Sequence, residues 1–188
     1  MRAKGNKGVT LVELLVVVAI LSIVISLIYA IFISQMRSKF WQDQVVAMEQ
    51  EMRASMSMLA NELRTAEAIT NSVGAAFSPI TISSTQICYT GQYDTDSNKD
   101  WVIYSYDSAS GTLKRKTGDV SYTDPATVAF QPVATGITNV TFVYFDASDS
   151  PMNKDVLTGE MTTLNQDDVD DIRRVEIWLA AETARENP

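Results

Sequence analysis

The chain has 188 residues, a formal charge of −8, one cysteine and no histidine. That length holds one ordinary domain plus an anchor, not two full domains. An acidic surface repels nucleic acid and anionic lipid, which argues against a nucleic-acid-binding module. A histidine-free chain with one thiol offers no Ser-His-Asp or Cys-His set and no zinc site. Cys88, inside the apolar run Ile87-Cys88-Tyr89, has no internal disulfide partner and is expected to be a small buried core residue.

Hydrophobic residues make up 46% of the chain but are spread unevenly. Residues 1–8 are basic, with Arg2, Lys4 and Lys7 and no acid, whereas 9–33 carry a single charge. At 1.5 Å per residue a helix over 9–33 rises about 37 Å, enough to cross a hydrocarbon core of ~30 Å. The run is longer than the apolar region of an ordinary secretory signal. The cations ahead of it predict a cytoplasmic N-terminus and an exported C-terminal domain. The single charge is Glu13. A carboxylate at mid-bilayer costs about 2.5–3.5 kcal/mol on insertion scales and needs a partner.

Lys7-Gly8-Val9-Thr10-Leu11-Val12-Glu13, continuing through Leu14 to Ile20, closely resembles the class III signal sequence of type IV pilins and type II secretion pseudopilins. The resemblance implies cleavage by a prepilin peptidase between Gly8 and Val9 and N-methylation of Val9. It also implies pairing of Glu13 with the N-terminal amine of a neighbouring subunit. Such pairing is chemically sensible, because an ammonium beside it makes a carboxylate tolerable in a low dielectric. Val9 departs from the family, where phenylalanine or methionine is usual. The implied partners are other pilin or pseudopilin subunits, the peptidase, an inner-membrane assembly platform and the membrane, with no nucleic acid, cofactor or metal.

From Val9 to Val73 there is no glycine or proline, so the helix is expected to continue unbroken for about 60 residues, or about 90 Å. Ala30 stands where many pilins have a kinking proline, which predicts a straighter helix. Tyr29, Phe32, Phe40 and Trp41 read as an interfacial aromatic belt. Met48, Met52, Met56, Leu59, Leu63 and Ala66 form an apolar stripe at helical spacing, with Gln50, Glu51, Arg53, Asn61, Glu62 and Arg64 on the other faces. The expected domains are a leader at 1–8, a membrane or filament-core helix at 9–33, an amphipathic continuation at 34–72 and a β-sheet domain at 73–188.

Beyond Asn71 short β-branched and aromatic runs alternate with turn residues. Strands are expected at 80–83, 86–90, 101–107, 112–117, 128–133, 138–146 and 172–180. Residues 101–116 form the clearest hairpin, with Gly111 free to take positive φ in its turn. Broken alternation over 140–146 predicts a strand covered on both faces. The Leu59-Ala60-Asn61-Glu62-Leu63-Arg64 helix end resembles PilW-class minor pilins and minor pseudopilin J of type II secretion. So do the hairpin pattern of Tyr104, Tyr106, Gly111, Leu113 and Arg115, the strand with Val140, Phe142 and Tyr144, and the strand with Ile172, Arg173, Val175, Ile177 and Leu179.

Two acidic runs invite a metal reading. Asp94, Asp96, Asn98 and Asp100 place oxygens at the alternate positions that open a calcium loop, but Lys99 holds the glycine position and no closing glutamate follows. Asp167, Asp168, Asp170 and Asp171 read as a charged loop. The whole reads as α+β: a long N-terminal transmembrane and amphipathic helix followed by an antiparallel β-sheet domain, the pilin fold. The function implied by resemblance is a minor pilin of a type IV pilus-like filament, priming assembly or lying at its tip. It would wait in the bacterial inner membrane with its C-terminal domain in the periplasm or outside. A type II secretion pseudopilin and a major pilin share the N-terminal motif. A membrane-tethered enzyme, the reading of a different class, lacks a visible catalytic set.

Overall fold

A computed structural model describes residues 10–73, 77, 79–93, 98–153, 162–164 and 166–182. The order is a helix α1 (Leu11–Thr65), strands β1 (Ala68–Ile69), β2 (Gln86–Gly91), β3 (Asp100–Asp107) and β4 (Thr112–Asp119), then a 3-10 turn (Pro125–Thr127). Strands β5 (Gln131–Ala134) and β6 (Ile137–Phe145), a short α2 (Gln166–Val169) and β7 (Arg174–Ala181) follow. The expected α+β layout, a long helix followed by antiparallel sheet, is found. The chain divides into two units, Met1–Val46 and Ala47–Pro188.

The first unit contributes the apolar part of α1. Its large side chains lie open, from Leu11 and Leu14 through Ile28 and Phe32 to Phe40. Ser22 and Ser26 donate their hydroxyls to the carbonyls of Val18 and Ser22 at 2.7 and 2.8 Å. Both polar side chains are thereby satisfied inside the helix.

In the second unit Leu59, Leu63 and Ala66 of the expected stripe pack into the sheet core. Leu59 is fully buried, Met48, Met52, Met56, Leu63 and Ala66 are half-buried, and Ser55 joins the same face. α1 stops at Thr65, short of the expected residue 72. No helix breaker explains this; competing partners do. The Thr65 hydroxyl bonds the Asn61 and Glu62 carbonyls, and the Glu67 N–H bonds the Thr90 carbonyl at 2.8 Å. Ala68 and Ile69 then pair with β2. Strand pairing has overridden helix propensity.

A five-stranded antiparallel sheet has the order β1-β2-β3-β4-β5, and β6 and β7 form a two-stranded antiparallel sheet. The central strand β3 is buried on both faces. Val102 and Tyr104 enter the main core with Leu59, Ile87, Tyr89 and Phe142, while Trp101 and Ile103 meet Val73 and Cys88 on the other side. Cys88 is buried as expected. The hairpin of β3 and β4 forms in the expected place, and Gly111 takes φ +59°. A Cβ there would come within 2.9 Å of the Ile137 carbonyl oxygen, so the turn requires glycine. In β6, Val140, Phe142 and Tyr144 are buried on the inner face and Val143 is 9% exposed on the outer. This is the two-sided cover that the broken alternation suggested.

Two expected strands change. Residues 80–83 make no ladder: the Ile80 N–H goes to the Asn71 carbonyl, Ser83 to Gln86, and the Ile82 carbonyl accepts from Leu164. Ile82 is nevertheless fully buried, so its apolar signal was real and its strand reading was not. The strand expected at 128–133 is found shorter and shifted, as β5 at Gln131–Ala134, with residues 128–130 after the 3-10 turn outside the ladder. Pro132 fits there because β5 is an end strand. Asn153 is buried and ties its loop to β6, donating to the Phe142 carbonyl at 2.7 Å and accepting from the Tyr144 N–H at 3.1 Å.

Candidate functional site

The start of α1 is a reciprocal cap. The Thr10 Oγ1 accepts from the Glu13 N–H at 3.3 Å, and the Glu13 carboxylate accepts from the Thr10 N–H at 3.4 Å. Each side chain satisfies a backbone donor that the first helical turn leaves without an intrahelical partner. Glu13 therefore holds its charge at the mouth of the helix, where the N–H dipoles favour an anion. Around it stand Leu11, Leu14, Leu15 and Val18, all more than half exposed, and Leu11 reaches 77%. A helix that is apolar all round is at home in lipid or in the core of an assembly. By length and composition α1 can cross a membrane. Of the sequence-predicted site residues, Gly8 and Val9 lie outside the described residues and Glu13 lies within them.

A second polar cluster fixes the other end of α1 to the sheet. Sequence placed Glu62 among the outward-facing polar residues, but it points into the structure. Its carboxylate accepts the Tyr89 hydroxyl at 2.9 Å and the Tyr104 hydroxyl at 3.0 Å, and a fork of Arg115 grips both oxygens at 3.0 and 3.2 Å. The Tyr93 hydroxyl donates to the Glu62 carbonyl at 3.2 Å. Tyr104 and Arg115 are cross-strand neighbours on β3 and β4, which sets them side by side under the helix. Burial, followed by the Glu62 charge, raises the Tyr89 and Tyr104 phenols well above their ordinary range. The same causes push Tyr93 up to about 12. These bonds tie the helix to the sheet through one shared carboxylate.

Asp94 and Asp96 lie outside the described residues, and the Asp100 carboxylate accepts from the Tyr93 N–H at 3.4 Å. Among the described residues no three acidic or thiol groups converge as metal ligands. Asp167, Asp170 and Asp171 are exposed around the short α2.

Residues 3–29 match the family model described as the prokaryotic N-terminal methylation motif. The N-terminus is type IV pilin-like. This pilin-type motif covers Gly8, Val9 and the capped Glu13, and it ends within the apolar half of α1. Together, a pilin signal and a helix able to span a bilayer are consistent with membrane anchoring. No curated protein and no solved structure matches the chain.

Proposed function

We propose that this chain is a minor pilin, a structural subunit and not an enzyme. It would be cut by a prepilin peptidase between Gly8 and Val9, methylated on Val9 and packed by its apolar helix into a type IV pilus-like filament. The carrying observation is the methylation motif running directly into a helix whose apolar side chains have no cover within their own unit. In this reading Glu13 exchanges its Thr10 cap for the N-terminal ammonium of a neighbouring subunit and sets the axial register. The membrane holds the subunit, with the sheet unit in the periplasm, until an assembly platform extracts it. The hairpin and helix-end patterns that resemble PilW-class proteins meet at Glu62, Tyr104 and Arg115, which supports a minor role over a major one.

Intact mass of the membrane-extracted chain, expressed with and without a prepilin peptidase, tests this. The expected result is loss of residues 1–8 and gain of one methyl group on Val9, both blocked in Gly8→Val. Glu13→Ala should still be cut but fail to enter filaments. An uncut chain, or one trimmed beyond residue 33, would overturn the proposal. Loss of exoprotein secretion rather than of pili in a deletion strain would move the subunit to a secretion system.

A further inference from the structure

Between Glu13 and Arg37 the chain has no charged residue, and both stand on α1. At 1.5 Å per residue they lie about 36 Å apart along the helix axis. That exceeds a hydrocarbon core of ~30 Å and falls within a whole bilayer of about 40–45 Å. A helix that crosses with Glu13 at one boundary therefore brings Arg37 to the headgroup layer of the other, with Lys39 about 3 Å beyond it.

Aromatic side chains mark the same level. Tyr29, Phe32, Met36 and Phe40 follow at helical spacing on one face of α1, and all are more than half exposed. Lys39, seven residues after Phe32, lies on that face, and Arg37 shares the next face with Trp41, four residues on. Cations on long apolar stems and aromatic rings both settle where hydrocarbon gives way to headgroups.

The two cations are uncommitted. Arg53, Lys99, Lys114, Arg115 and Arg174 are ion-paired. Arg37 and Lys39 are exposed and, among the described residues, make no ion pair or side-chain hydrogen bond. The nearby acid, Asp43, stands four residues past Lys39, about 6 Å farther from the apolar run, and is not paired with it. Two cations against one acid leave this stretch one net positive charge. The formal −8 of the whole chain does not cancel it, because charges more than ~8 Å away are largely screened at physiological ionic strength. In a headgroup layer the matching acceptor is lipid phosphate, which a guanidinium takes through two parallel bonds and an ammonium as a point charge.

We infer that Arg37 and Lys39 bind the phosphates of anionic phospholipids and, with Phe40 and Trp41, fix how deeply α1 sits in a bilayer. This rests on the membrane anchoring described above.

The test places the full-length chain in phosphatidylcholine vesicles with a trace of lipid carrying a nitroxide on its acyl chain, either phosphatidylglycerol or phosphatidylcholine. Electron paramagnetic resonance reads the fraction of each that is slowed by contact with the protein, and so the preference between headgroups. The wild type should prefer phosphatidylglycerol. Arg37→Gln combined with Lys39→Gln should cut that preference about fivefold at low salt, the effect of one net cation near an anionic headgroup. The cut should shrink at about 0.5 M salt, and Asp43→Asn should raise the preference. Both cations are exposed and glutamine is a good helix former, so the helix survives the change. Arg2, Lys4 and Lys7 are present in every variant, so the difference between variants isolates the far end of the span.

A preference unchanged in the double variant, or one insensitive to salt, would overturn the inference. Lipid slowed equally whatever its headgroup sinks this inference and leaves the anchoring standing. No slowed lipid at all sinks both.

Discussion

The two parts of α1 obey opposite rules. In the part belonging to the first unit, leucine, isoleucine and valine lie exposed along the helix and the carboxylate of Glu13 is answered by the helix's own first turn. In the part belonging to the second unit the apolar residues form a stripe, Leu59 is fully buried and the carboxylate of Glu62 is answered by the sheet. One continuous helix thus carries a segment stabilised within its own chain and a segment whose apolar surface is left for its surroundings. Length and propensity do not separate the two; the placement of apolar residues does.

The same substitution made in both parts should break the comparison open. Leu59→Ala is expected to destabilise the sheet-bearing unit by about 2–5 kcal/mol, because a fully enclosed side chain leaves a cavity. Leu15→Ala, at an exposed position, should leave its stability within about 0.5 kcal/mol. Denaturant melts of the full chain in detergent, followed by tryptophan fluorescence, measure both. Equal effects would sink the idea that only one part is stabilised within the chain.

The Glu62 cluster offers a smaller effect. Arg115→Ala leaves a largely enclosed carboxylate without its cation and should cost about 2–4 kcal/mol in the same melts. Arg115→Lys, which keeps the charge but loses the fork, should fall between the two. A melt of Arg115→Ala unchanged from the wild type would mean that the helix is held by Leu59 and its neighbours alone.

The smallest effect is one of pH. Burial raises the Cys88 thiol from the ordinary 9.0 to about 12, and burial with the Glu62 charge raises Tyr93 from 10.0 to about 12. These groups hold their protons more tightly folded than unfolded. Their contribution is therefore whole below pH 9 and is lost as pH rises toward about 12. Alkaline unfolding should coincide with tyrosinate absorbance and follow a shallower slope in Glu62→Gln. Tyrosines that ionise at their ordinary value in the still-folded protein would contradict this.

Much of this was legible because it rests on short-range patterns. The leader pattern, the lone acid of the apolar run and the hairpin turned at Gly111 each need only neighbouring residues. The Glu62 cluster was half legible: Tyr104 and Arg115 were visible as one hairpin pattern and Glu62 as part of a helix end, but nothing local joins residues 53 positions apart. Tyr89 was missed as a partner because its strand reads as ordinary apolar core. The early end of α1 was hidden for a related reason, since the competitor for its backbone is Thr90, on a strand more than twenty residues downstream.

The hydroxyls of Ser22 and Ser26 have a thermodynamic consequence. With their hydrogen bonds closed on the helix itself, they gain little from lipid and little from a protein partner. The surrounding leucines, isoleucines and valines are likewise nearly indifferent, since lipid tails are as apolar as they are. On the proposed assembly reading, partition of this segment between a bilayer and the core of a filament would be close to balanced along its length, with the charge at Glu13 as the term that would tip it. Under that proposal, its internal hydrogen bonds would let such a segment leave a membrane without losing its helix.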